Sequence, residues 1–127
     1  MKAIIATNNL NFIGSQGKLP WDCPEDLEHF KKLTMGGKCL VGYNTAKTLP
    51  NLPGREVVVD DDTKTIKYKE IDWCIGGKST YERHAKKFTE IHISHIDDYS
   101  FGDTVFPTLK LNLEKCKVFH YYFCKKP

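Results

Sequence analysis

Asp72-Trp73-Cys74-Ile75-Gly76-Gly77-Lys78-Ser79-Thr80 runs from a buried apolar strand, through two glycines, into a helix that the pattern extends to Phe88. Val41-Gly42-Tyr43-Asn44-Thr45 has the same form, closing the apolar run Lys38–Gly42 and opening a short helix over Tyr43–Thr48. Strands that end on glycine and feed a helix are the units of a mainly parallel sheet. Working outward, Lys2–Ala6, Arg55–Val59 and Glu90–Ile96 read as further strands, with Ile66–Tyr68 as a minor one. A helix over Glu25–Thr34 starts behind Pro24 and stops at Gly36-Gly37. The expected fold is therefore α/β, with a central, mostly parallel twisted sheet flanked by about three to four helices. The last strand, Cys116–Phe123, follows the turn Gly102-Asp103-Thr104 and is expected to run antiparallel.

At 127 residues the chain suits one domain over 1–127, with no linker or repeat. Apolar content of 40% and charged content of 28% are ordinary for a globular chain. The net charge of +3 is spread out, which argues against a nucleic-acid footprint. No segment reaches membrane-span length, and the N-terminus turns polar too soon for a signal peptide. The five cysteines form no CxxC pair and their number is odd, so neither a zinc site nor a disulfide framework is expected, and the compartment reads as a reducing cytoplasm. His92 and His95 fall on opposite sides of one predicted strand, which argues against shared ligation, and no metal is expected. No serine or cysteine sits on a nucleophile elbow.

The helix after Pro24 carries the chemistry. Helical spacing puts Asp26, Phe30 and Leu33 in one narrow arc, with Leu27 beside it and Glu25, Glu28, Lys31 and Lys32 opposite. A carboxylate turned toward apolar groups needs a partner or a raised pKa, so Asp26 is the candidate acid. The loop Asn8–Trp21, with Gly14 and Gly17, has the length of a functional segment. The two glycine junctions offer free backbone N–H groups at helix starts, which suit the two sides of a pyrophosphate, although each alone reads as an ordinary turn. Arginine is rare, with Arg55 and Arg83 set against seventeen lysines. Spacing alone makes Arg55 a surface ion pair, and Tyr81 by default a core residue.

These pieces occur in a recognisable order: Ile4-Ile5-Ala6, Ile13-Gly14, Leu19-Pro20-Trp21, Pro24-Glu25-Asp26-Leu27 and Phe30-Lys31. Gly42 with Thr45 and Leu52-Pro53-Gly54-Arg55 come next, then Ile75-Gly76-Gly77 with Tyr81. Ser94-His95-Ile96-Asp97 and Gly102-Asp103-Thr104 with Phe106-Pro107 complete the series. Over residues 1 to 107 the chain resembles dihydrofolate reductase. The resemblance implies hydride transfer from reduced nicotinamide to C6 of dihydropterin, with a proton reaching N5. It makes Asp26 the acid on the pterin amidine edge, supported by Ser94, with Trp21 holding a water. Leu19 joins them in the catalytic group. Substrate would meet Ile5, Leu27, Phe30 and Leu49, the Ile75 carbonyl and Tyr81, with Arg55 on the glutamate α-carboxylate. Nicotinamide would meet Ala6, Ile13, Gly14 and Leu19. The pyrophosphate side would be held by Gly42, Tyr43, Asn44 and Thr45 together with Gly76, Gly77, Lys78, Ser79 and Thr80.

The chain also departs from the family. The stretch between Val59 and Trp73 is short, and the C-terminal hairpin is trimmed. Tyr43 and Asp60-Asp61-Asp62 stand where the family offers arginine and small hydroxyl residues to the adenosine 2′-phosphate. Carboxylates repel a phosphate but suit a free ribose 2′-hydroxyl, so NADPH is the family expectation and NADH use is an added one. Dihydrofolate and a nicotinamide dinucleotide are the expected partners, antifolates the expected inhibitors, and a monomer the expected state. The competing reading is a catalytically weak folate- or nucleotide-binding protein serving an assembly. A fold-related pterin or flavin-precursor reductase fits Arg55 and Asp26 less well.

Overall fold

The computed structural model describes residues 1–125. The parallel sheet has the strand order β4-β3-β5-β1-β6-β8. These strands are β1 (Lys2–Asn8), β3 (Lys38–Gly42), β4 (Glu56–Asp60), β5 (Trp73–Cys74), β6 (Glu90–Ile96) and β8 (Lys117–Phe123). A second, antiparallel pair joins β2 (Phe12–Gly14) to β7 (Thr104–Val105). The helices are α1 (Pro24–Thr34), α2 (Tyr43–Ala46) and α3 (Lys78–His84).

Strand alternation divides the core between the two faces. Ala3, Ile5, Cys74, Ile91 and Ile93 pack with Tyr81, Ala85 and Phe88 on the α3 side. On the other face Ile4, Cys39 and Trp73 pack against Phe30 and Leu33 of α1. This is the period-two pattern of strands buried on both sides.

Three expectations need correction. The C-terminal strand β8 runs parallel to β6, with Glu90 beside Lys117 and Ile96 beside Phe123. An antiparallel partner needs only a tight turn, whereas residues 97–116 carry the chain back to the start of β6, the long return that a parallel pair requires. The minor strand at Ile66–Tyr68 is absent, and a 3-10 turn at Tyr68–Glu70 stands there instead. Cys23 and Cys124 form a disulfide across 101 residues, against the expectation of none. Spacing gives no hint of so distant a pair, while Cys39, Cys74 and Cys116 are buried free thiols. Among the described residues no helix is long and apolar enough to cross a membrane.

Candidate active site

α1 begins without a side-chain cap. Pro24 takes the first turn and the Cys23 carbonyl accepts the Asp26 and Leu27 backbone N–H groups at 3.1 and 3.2 Å. Asp26 is 6% exposed and faces the sheet, as helical spacing requires. Burial raises its pKa, while Ser94 and the nearby His29 pull it down, and the net direction is upward. Ser94 Oγ adjoins the carboxyl group without the geometry of a directed hydrogen bond and has no partner among the described residues. Trp21 Nε1 and His29 Nε2 are buried and unpartnered in the same way.

Asp26 opens on a cavity of about 1290 Å³. Ile5, Leu27, Phe30, Leu49, Ile75 and Ser94 wall the end near Asp26. Tyr81 also reaches it, and its buried hydroxyl donates to the Ile4 carbonyl at 2.6 Å. Ala6, Ile13, Gly14 and Leu19 line the adjoining part. Both glycine junctions follow: Gly42, Tyr43, Asn44 and Thr45 from β3 and α2, then Gly76, Gly77, Lys78, Ser79 and Thr80 leading into α3. Asp60 at the end of β4, with Asp61 and Asp62 just after it, lines the cavity at the outermost strand.

The two junctions interlock. Gly42 N–H donates to the Gly76 carbonyl at 2.7 Å, and the Gly76–Gly77 peptide is cis. A Cβ on Gly77 would sit 2.6 Å from Thr45 Oγ1, and one on Gly42 would collide with Thr80 Oγ1. A side chain at either glycine would crowd a threonine hydroxyl, so glycine lets the two junctions approach this closely. The two junctions together form one cradle on the cavity wall.

Two expected site residues stand outside the wall. Trp21 is buried with Cys23 and Ile96. Arg55 lies in a separate, more open hollow of about 590 Å³. Its guanidinium sits 5.8 Å from the Phe30 ring centroid and donates to Thr34 Oγ1 at 3.3 Å, one side chain away from the cavity.

Sequence reasoning missed several participants. Thr48 lines the cavity and donates its hydroxyl to the Gly17 carbonyl at 2.7 Å, tying the first loop to the end of α2. Asn8 anchors that loop by accepting the Leu10 and Phe12 backbone N–H groups at 3.2 and 3.0 Å. His29, three residues after Asp26, packs tilted against Tyr121 of β8 with ring centroids 4.1 Å apart; the helical spacing could have flagged it. Arg83 also lines the cavity, where it pairs with Asp60 and Asp62.

A family model described as dihydrofolate reductase matches residues 1–72. The chain belongs to the dihydrofolate reductase family. A dihydrofolate reductase of Buchnera aphidicola (subspecies Schizaphis graminum) is 31% identical over 143 residues, covering 97% of this chain and 86% of that protein. The type 9 dihydrofolate reductase of Escherichia coli is 30% identical over 132 residues, covering 82% and 74%. The solved dihydrofolate reductase of Enterococcus faecalis, complexed with NADP(H) and RAB-propyl, superposes with a TM-score of 0.71. At 24% identity, covering 86% of this chain and 77% of that one, this likeness shows the fold. For a member of the dihydrofolate reductase family, the acid, the glycine cradle and the cavity joining them form the site where a pterin and a nicotinamide would meet.

Proposed function

We propose that this protein reduces 7,8-dihydrofolate to 5,6,7,8-tetrahydrofolate with a reduced nicotinamide cofactor, through Asp26. One observation carries the assignment of the site: a buried carboxyl group opens onto the same cavity as the two-sided glycine cradle. The cofactor supplies the hydride when bound. Ala6, Ile13, Gly14 and Leu19 would bound its nicotinamide, and Gly42 to Thr45 with Gly76 to Thr80 would hold its pyrophosphate through backbone N–H groups. Asp26 orients the pterin by its amidine edge and keeps a proton available for N5 above the pH at which an ordinary aspartate releases it. Ser94, adjoining that carboxyl group, would steady it, and the buried Trp21 Nε1 would hold a water near the acid. Leu27, Phe30, Leu49 and Ile75 keep water from the reacting ring. A monomer is the state we propose. A cytoplasmic location is proposed on family membership alone, since the Cys23–Cys124 bridge removes the thiol argument for it. Consumption of reduced cofactor in the presence of dihydrofolate tests the activity. Tight antifolate binding without turnover on either cofactor would favour the binding-protein alternative.

Arg55 is assigned to the glutamate α-carboxylate, reached across the Phe30 ring. Lysine in its place keeps the charge but loses the planar fork. Arg55→Lys is expected to raise KM for dihydrofolate about tenfold with kcat little changed, since a charge-assisted hydrogen bond contributes roughly 1.5–3 kcal/mol. A dihydropteroate lacking the glutamate should not sense the change. Equal effects on both substrates would remove Arg55 from this role.

NADH use rests on the acid run at the cavity's outermost strand. Asp60 is 5% exposed and accepts from His84 Nε2 at 2.6 Å, while Tyr68 contacts the other ring nitrogen at 2.7 Å. Burial works against Asp60 ionisation, but His84, the Asp62 backbone N–H and Arg83 outweigh it and lower its pKa. Asp60 is thus bound into the scaffold, which leaves the more exposed Asp61, tied to Thr63, and Asp62, tied to Arg83, as the carboxylates nearer a ribose. Replacing Asp61 and Asp62 with serine should move the ratio of kcat/KM values toward NADPH. An unchanged ratio would exclude them from cofactor choice.

A further inference from the structure

The strand order lays the cavity out along one edge of the sheet. Ala6 and Ser94, at the ends of β1 and β6, mark the Asp26 end. β5 and β3 carry the glycine cradle, and β4, the outermost strand, ends at Asp60, paired in register with Gly42. On the reading that a dinucleotide spans these strand ends, its adenosine ribose lies at β4, beside Asp60, Asp61, Asp62 and Arg83.

Arg83 is the arginine of this wall, since Arg55 lies in the other hollow. It projects from the last turn of α3, and both ends of its guanidinium are engaged. Nη1 contacts Asp60 Oδ2 at 2.8 Å and Asp62 Oδ1 at 2.6 Å, and Nη2 donates to Asp62 Oδ2 at 2.9 Å. Asp62 therefore takes the two-pronged grip that arginine otherwise offers a phosphate. The two carboxylates differ in their other ties. Asp60 is buried and also holds His84, whereas the Asp62 side chain is 66% exposed and free of that network. Asp61 is turned to Thr63, accepting its backbone N–H at 3.0 Å and its hydroxyl at 2.6 Å.

We infer that the Asp62–Arg83 ion pair sets which dinucleotide this cavity accepts, because Asp62 occupies the guanidinium that a ribose 2′-phosphate would need. The inference rests on the adenosine placement above and deepens the NADH reading. With Asp62 in place, a 2′-phosphate meets a carboxylate and an arginine already neutralised, while a 2′-hydroxyl meets an acceptor. Without Asp62, Asp60 still holds Nη1 and positions Arg83, and Nη2 is free to donate to the phosphate. Lys64 and Lys78, the neighbouring lysines, remain in either case.

The test uses Asp62→Asn, Asp62→Gly, Arg83→Gln and the double variant Asp62→Asn/Arg83→Gln. Asp62 has φ of 71°, a left-handed conformation that asparagine and glycine accept, so both replacements suit the backbone. Two readouts are taken: the ratio of kcat/KM for NADPH to that for NADH, and binding of 2′,5′-ADP against 5′-ADP by calorimetry. Freeing one charge-assisted donor is expected to raise both ratios about tenfold in each Asp62 variant. The double variant should lose that gain, and Arg83→Gln alone, which leaves Asp62 unneutralised, should lower both ratios below wild type. No gain in either Asp62 variant, or a gain that survives in the double, overturns the inference. A wild-type preference for NADPH of several hundredfold overturns the NADH reading alone, and the Asp62 comparison still decides the role of the ion pair.

Discussion

Asp26→Asn is expected to lower turnover at neutral pH about a thousandfold, the middle of the range for a positioned general acid, while raising the melting temperature. Both effects have the same origin. The Asp26 carboxyl group is buried, and the contributions of Ser94 and His29 do not fully offset its desolvation. The native state therefore keeps this proton at pH values where the unfolded chain has released it. That difference makes stability fall as pH rises from the unfolded pKa to the raised folded one, and the loss persists above it. Asparagine fills the same space without ionising and escapes the loss. Melting curves of the two proteins should converge in acid and separate toward neutral pH, with the variant the more stable. Its rate should keep climbing as pH falls, because N5 must then take its proton directly from solvent. Equal rates for the two proteins at neutral pH would remove Asp26 from the mechanism.

Cutting the Cys23–Cys124 bridge, by reduction or by Cys124→Ser, is expected to cost about 2–4 kcal/mol of stability, the usual range for a disulfide closing a long loop. The bridge joins the residue before α1 to the residue after β8, so one covalent bond ties the helix of Asp26 to the edge of the sheet. The corresponding fall in melting temperature is on the order of 10 °C. Thiol titration of the native protein gives an independent check. Cys39 and Cys74 are fully buried and Cys116 is 9% exposed. Burial raises all three pKa values, that of Cys74 to about 12, so none should react rapidly. Two more thiols should become titratable only after reduction, Cys124 quickly and the buried Cys23 slowly. Their presence before reduction, or an unchanged melting temperature after it, would reject the bridge.

What could be read from the sequence followed from local rules. The inward turn of Asp26 is helical periodicity, and the glycines at 42, 76 and 77 mark strand-to-helix junctions wherever the sheet lies. The direction of β8 is not local, because the alternation Lys117 to Phe123 reads alike in either sense and the path of residues 97–116 decides it. The pairing of Cys23 with Cys124 and the meeting of Arg83 with Asp62 are tertiary in the same sense, since each partner alone resembles an ordinary surface or core residue. Arg55 shows the reverse: spacing placed it at a strand end, and its position beyond Phe30 emerges only from packing.

The hydrogen bond from the Thr48 hydroxyl to the Gly17 carbonyl bears on ligand traffic. It makes opposite banks of the cleft one connected rim, so widening the mouth on that side requires the two to part. A molecule that passes on that side would need only this one weak link to open, with no unfolding of either bank.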